Sequence, residues 1–181
     1  MFDPIDYKLL DLLQANGRAS QLELAQSVGL SQPAVAERIR KLEQQGAITG
    51  YAALVDARTL GKDITAFIGV VTNHPRFNYS FTKEISDITE VLECHRVAGS
   101  DSYLLKIKTA NTSSLDELIA RIRSIPGVER TQTTIAIASV KETTRVLPAT
   151  EHKAPARRTH RLAFPQRSAA KTNTKLPRKR S

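Results

Sequence analysis

Apolar positions recur at helical spacing three times before residue 46. Ile5, Leu9, Leu12 and Leu13 form one face of a helix that Asp3 is placed to cap and Pro4 to open, with Asn16-Gly17 as its stop. Leu24, Ala25 and Val28 form a second face behind Ser20, which makes a capping box with Glu23, and Gly29 breaks that run. Leu30 supplies an anchor in the turn and Ser31 recaps the chain. Pro33 falls in the next first turn, where proline is tolerated, and Val35, Ile39 and Leu42 face inward. Pro33, Glu37, Arg40 and Gln44 are left pointing outward. Two helices joined by a tight glycine turn, the second lined with basic residues, form the pattern of a helix-turn-helix DNA reader. The following AITGYAALV is rich in strand formers and predicts a small wing strand. Residues 1–55 therefore read as a winged helix-turn-helix, and the polar stretch at 56–64, with Gly61 inside it, as a hinge.

The period changes from residue 65 onward. TAFIGVVT predicts a buried strand, Phe77, Phe81, Ile85 and Ile88 a helix, and VLECHRVA and SYLLKIKT two strands with a turn at Gly99 to Asp101. Ser114 and Glu117 suggest a capping box for a second helix lined by Leu115, Leu118, Ile119 and Ile122. Pro126-Gly127 stops it before the long strand VERTQTTIAIASV. The order β-α-β-β-α-β is that of a split-βαβ, ferredoxin-like sandwich over residues 65–147, making the chain α+β. Two helices cover one sheet face, so the other, partly apolar, is expected to pair with a second copy.

Composition refines this picture. With 181 residues, 40% apolar, the chain supplies ordinary cores but no run long enough for a bilayer, and a soluble protein without membrane contact is expected. No basic segment followed by an apolar run marks a secretory signal near Met1. The single cysteine, Cys94, fits a reducing cytoplasm. Residues 1–147 hold 17 Lys and Arg against 17 Asp and Glu, whereas residues 148–181 hold 10 against one, so all the net charge of +9 lies in the tail. Rich in proline and poor in large apolar side chains, that tail predicts a disordered basic arm that follows nucleic-acid phosphates, or else a solubilising extension.

Catalytic constellations are scarce. Cys94 and His95 are adjacent in a predicted strand and face opposite sides, His74 precedes a proline, His152 and His160 lie in the tail, and no glycine-rich phosphate loop occurs. Neither a catalytic residue nor a metal or cofactor site is predicted.

In domain order, and in GLSQPAVAERIRKLEQQGAITGY, ECHRVAGSDSYLLK and IPGVERTQT, the region from Pro4 to Val146 resembles the Lrp/AsnC, or feast/famine, transcription regulators. The resemblance implies a DNA-binding winged helix-turn-helix joined to an effector-sensing sandwich, dimers paired through the sheets, frequent octamers, a nucleoid-associated cytoplasmic role and amino-acid effectors. It places Ser31, Gln32, Pro33, Ala36, Glu37 and Arg40 near base edges of double-stranded DNA. Arg18, Arg38 and Lys41 are assigned to phosphates, where cationic groups gain affinity by releasing counterions.

The turn that usually reads glycine, acid, any residue, acid, tyrosine here reads Gly99, Ser100, Asp101, Ser102, Tyr103. Gly99 and Tyr103 match, both usual acids are serines, and Asp101 is the turn's one carboxylate. A carboxylate binds a ligand ammonium more strongly than a hydroxyl does. A row of hydroxyls, Thr131, Thr133 and Thr134, on the facing strand is placed to contact a ligand. The leading expectation is a sequence-specific regulator responsive to an amino acid or related metabolite. A nucleoid-architectural protein without an effector is the alternative, and a tetrapyrrole decarboxylase of similar layout a remote one.

Overall fold

The computed structural model describes residues 2–148, so the basic arm expected from residue 148 onward lies outside the described residues except for Pro148. Helix α1 spans Pro4–Ala15, α2 Gln21–Val28 and α3 Gln32–Gln44. Their ends are set locally. Asp3 accepts from the Asp6 backbone at 2.8 Å while the Asp6 side chain accepts from Asp3 N–H at 3.0 Å, and Ser20 and Glu23 repeat the exchange before α2. Gly29 ends α2 at φ 71, a left-handed conformation in which any other side chain is strained. Leu9, Leu24, Ala25, Val35 and Leu42 bury their side chains as the common core of the three helices.

The expected wing strand does not form. Ala47 and Ile48 both donate backbone N–H groups to the Leu42 carbonyl, closing the end of α3, and residues 49–55 run without a ladder. An isolated strand has no partner for its backbone groups, and among the described residues no other strand lies alongside this one. Tyr51, Leu54 and Val55 are exposed as a result.

Residues from Ile64 onward build a four-stranded antiparallel sheet. Strands β1 Ile64–Thr72, β2 Val91–Arg96, β3 Tyr103–Thr109 and β4 Val128–Ile135 take the order β2-β3-β1-β4, with helices α4 Asn78–Ser86 and α5 Thr112–Arg123 in the crossovers. This is the expected ferredoxin-like sandwich. Alternation sends Ala66, Ile68, Val70, Tyr103, Leu105 and Ile107 toward the helices, where they bury Phe81, Ile85, Leu118 and Ile122. Phe67, Gly69, Val71, Leu104, Lys106 and Lys108 occupy the opposite, helix-free face.

Two boundaries differ from the sequence pattern. The cap of α5 is Asn111, whose side chain accepts from Ser114 N–H while the Ser114 hydroxyl accepts from Asn111 N–H, both at 3.0 Å, so the capping box begins three residues before Ser114. The β4 ladder ends at Ile135, opposite Ala66, with one further bond from Ala136 N–H to the Thr65 carbonyl at 2.9 Å, and Ile137 and Val140 are each 99% exposed. The segment after β4 instead engages charged groups. Glu142 sits 2.5 Å from Lys106 and 3.4 Å from Lys108, and Arg145 bonds Asp11 of α1 at 2.5 Å.

Candidate nucleic-acid interface and effector turn

Helix α3 presents two faces with different chemistry. Its inner face is Val35 and Leu42, both buried. On the outer face Ser31, Gln32, Pro33, Glu37, Arg40 and Lys41 are exposed and Ala36 is half-buried, so the predicted base-reading group shares one accessible surface. Ser31 occupies the N-cap position without spending its hydroxyl on a cap bond. Arg40 donates from Nε and Nη2 to the two carboxylate oxygens of Glu37 at 2.8 and 2.7 Å, and Lys41 Nζ lies 3.6 Å from the same carboxylate. Those bonds, Arg40's foremost, hold the Glu37 carboxyl below the ordinary range.

The remaining basic residues divide. Arg18 is exposed in the turn between α1 and α2, where the Asn16 side chain accepts its backbone N–H at 3.0 Å. Arg38, assigned to phosphates by sequence, is drawn elsewhere: its Nη1 lies 2.7 Å from both Asp3 and Asp6. Its position one residue off the outer face turns it toward the N-terminus of α1, whose capping carboxylates form a ready cation site. Asp3 is held below the ordinary value, chiefly by the Asp6 backbone N–H and then by Arg38. The sequence contained the signal for this bridge in two acids at a helix start, but not the pairing across 35 residues.

The turn between β2 and β3 is assembled differently. Gly99 has φ 151, Val97 closes the turn by donating its N–H to the Ser102 carbonyl at 3.1 Å, and Ser102 donates its own N–H to the Val70 carbonyl of β1 at 2.8 Å. The Ser102 hydroxyl accepts from the Thr72 backbone at 3.1 Å and lies 3.2 Å from the Thr72 hydroxyl, so it is absorbed into the sheet. Tyr103 belongs to the core: it is 3% exposed and its ring centroid lies 4.6 Å from that of Phe81. Burial raises its phenol above the usual value. Neither side chain is presented to a ligand as the sequence pattern suggested. Ser100 remains exposed.

Asp101 folds over Gly69, where a side-chain carbon would meet its carboxylate oxygen at 2.6 Å, and Arg130 of β4 reaches it at 3.8 Å. Gly69 and Arg130 escaped sequence reasoning. The available signal was a glycine in the middle of TAFIGVVT, which marks a close approach to the strand.

The hydroxyl row on β4 separates. Thr131 pairs with Val70 and Thr133 with Ile68, both on the helix face, whereas Thr134 pairs with Phe67 on the open face. Thr131 is further occupied by Arg123, whose Nε donates to it at 2.8 Å. A strand period of two forbids Thr133 and Thr134 from sharing a face.

Comparison with known proteins agrees with both halves of this description. The model described as the Lrp/AsnC ligand binding domain matches residues 65–146, and one described as winged helix-turn-helix DNA-binding matches residues 2–49. The leucine-responsive regulatory proteins of Klebsiella pneumoniae and Escherichia coli K12 are each 35% identical to the chain over 148 residues, covering 80% of it and 90% of each relative. A transcriptional regulator of Neisseria meningitidis in complex with L-methionine superposes with a TM-score of 0.78 at 28% identity, covering 81% of this chain and 96% of that one. A feast or famine regulatory protein from M. tuberculosis, also complexed with L-methionine, gives 0.77 at 34% identity, covering 82% and 100%. The exposed basic helix on a three-helix unit, the sandwich behind it and these matches over both lead to one assignment: the chain belongs to the Lrp/AsnC family of DNA-binding transcriptional regulators.

Proposed function

We propose that this regulator binds specific DNA sites through the outer face of α3, as a dimer or higher oligomer, and adjusts that binding to an amino acid or a related small metabolite. Ser31, Gln32, Pro33, Ala36, Glu37 and Arg40 approach base edges, and Arg18 and Lys41 approach phosphates. The observation that carries the reading is the accessibility of Ser31, Gln32, Pro33, Glu37, Arg40 and Lys41 on the outer face of α3 while the helix's other face anchors the core. Pairing through the open sheet face is supported by Phe67 and Leu104, each 38% exposed there.

For the effector, the relatives crystallised with L-methionine support an amino acid as the ligand class, and in the turn before β3 Asp101 is the carboxylate placed to accept its ammonium. Selection of genomic fragments on the purified chain, with and without a panel of amino acids, tests the reading. A shared pseudo-palindromic motif whose occupancy responds to one of them is the expected result. Diffuse A·T-rich enrichment, indifferent to every amino acid, overturns it in favour of an architectural protein.

The basic segment at 148–181 adds sequence-independent affinity. Each neutralised phosphate contributes about −0.9 to the slope of log affinity against log salt, so an arm using a third of its ten cations steepens the slope by roughly 3 per subunit. A chain ending at Leu147 is expected to show the flatter slope with its ranking of sites intact. An unchanged slope assigns the segment another role.

A further inference from the structure

On the outer face of α3, Glu37 holds Arg40 along one side of its guanidinium, with Nε and Nη2 donating to the two carboxylate oxygens at 2.8 and 2.7 Å. Both side chains are about half exposed, at 53% for Arg40 and 46% for Glu37. A pair so placed adds little to the stability of a helix. Its consequence is directional.

A guanidinium carries five N–H groups in one rigid plane. Two are taken by Glu37, and the end of the fork, one hydrogen each on Nη1 and Nη2, is left as a parallel pair. That pair matches the O6 and N7 acceptors of guanine in the major groove. Fixing the fork before DNA arrives also removes part of the ordering cost that a free arginine carries on binding.

We propose that Glu37 is a positioning residue that aims Arg40 at a guanine, so that the two together select a G·C base pair in each half-site. This rests on α3 being the reading helix. The carboxylate has a second effect of opposite sign, because it brings negative charge close to the DNA backbone. Removing it weakens the discrimination of guanine and strengthens binding to random sequence. A purely structural surface pair produces neither change.

The test uses the full chain and four variants, Glu37→Ala, Glu37→Gln, Arg40→Ala and Gln32→Ala, in competition binding against randomised half-sites. The preferred site is then remade with its guanine replaced by adenine or by 7-deazaguanine, which lacks the N7 acceptor. The wild type is expected to favour guanine by roughly 5- to 150-fold and to lose part of that preference on 7-deazaguanine. Arg40→Ala should be indifferent to either replacement. Glu37→Ala and Glu37→Gln should lose most of the preference for guanine yet bind random DNA more tightly at low salt. Full guanine preference in both Glu37 variants, with loss in Arg40→Ala, overturns the positioning role alone. A base-preference profile unchanged in both Arg40→Ala and Gln32→Ala overturns the reading helix itself.

Discussion

On α3 the side chains proposed to read DNA stand clear of the core, whereas in the turn before β3 Asp101, Ser102 and Tyr103, three of the residues proposed to meet a ligand, are held against the sheet and core. Gln32 and Arg40 project from a helix whose packing depends on Val35 and Leu42, so the chemistry of one face varies without disturbing the other. In the turn, Ser102 ties Thr72, Tyr103 stacks on Phe81 and Asp101 rests on Gly69. A change at Ser102 or Tyr103 therefore alters stability whatever it does to binding. A proposed reading surface on a helix is free to diverge toward new operators, whereas a turn tied to the sheet through Ser102 and to the core through Tyr103 is not.

The strongest break in this comparison comes from truncating Tyr103. Tyr103→Ala is expected to cost about 3–5 kcal/mol of stability in urea unfolding, the range for losing a buried aromatic ring. Gln32→Ala, at the exposed start of α3, should stay within about 0.5 kcal/mol of wild type while weakening specific DNA binding. Equal stability losses in the two variants would erase the distinction between a free face and a bonded turn.

A smaller effect is expected at Gly69. Its backbone accepts alanine, but the new carbon would stand 2.6 Å from the Asp101 carboxylate, the mobile end of a side chain that must then swing away. Gly69→Ala should cost about 1 kcal/mol. Calorimetry with L-methionine and other amino acids reads the rest: if Asp101 accepts the ligand ammonium, the variant loses the binding the wild type has. Equal affinity in the two proteins would remove Asp101 from the site.

These positions also mark how far sequence reasoning reached. The helices, their caps at Asp3 and Ser20, the break at Gly29 and the exposed face of α3 are local features, written within a few residues of one another. The ferredoxin-like order was legible for the same reason. Contacts between distant segments were not. Nothing near Asp101 says that Gly69 and Arg130 receive it, and nothing near Arg38 says that Asp3 claims it. The wing strand failed because strand propensity in residues 47–55 cannot supply a partner, and the strand expected as far as Val140 ended early because β1, which begins at Ile64, has no residue to set against the run beyond 137. On β4, alternation puts Thr133 opposite Ile68 on the helix face and Thr134 opposite Phe67 on the open face, so the hydroxyls do not form one row.

The gentlest test sharpens the comparison inside α3, where Arg38 behaves like a residue of the turn and Arg40 like one of the free face. Arg38 joins α3 to the cap of α1 through Asp3 and Asp6, so Arg38→Ala should lower the melting temperature where Arg40→Ala leaves it nearly unchanged. The bridge also carries a pH signature. Because the Asp3 carboxyl is held below its ordinary value in the fold, its stabilising effect is complete above that value and fades as the pH drops through the lower, folded-state one. Thermal melts followed by circular dichroism should therefore show wild type above Asp3→Asn near neutral pH. The two curves should converge below about pH 4, the unperturbed aspartate range. A gap that widens on acidification would mean that Asp3 is bound in its protonated form, and that Arg38 is as free to meet phosphate as its neighbour.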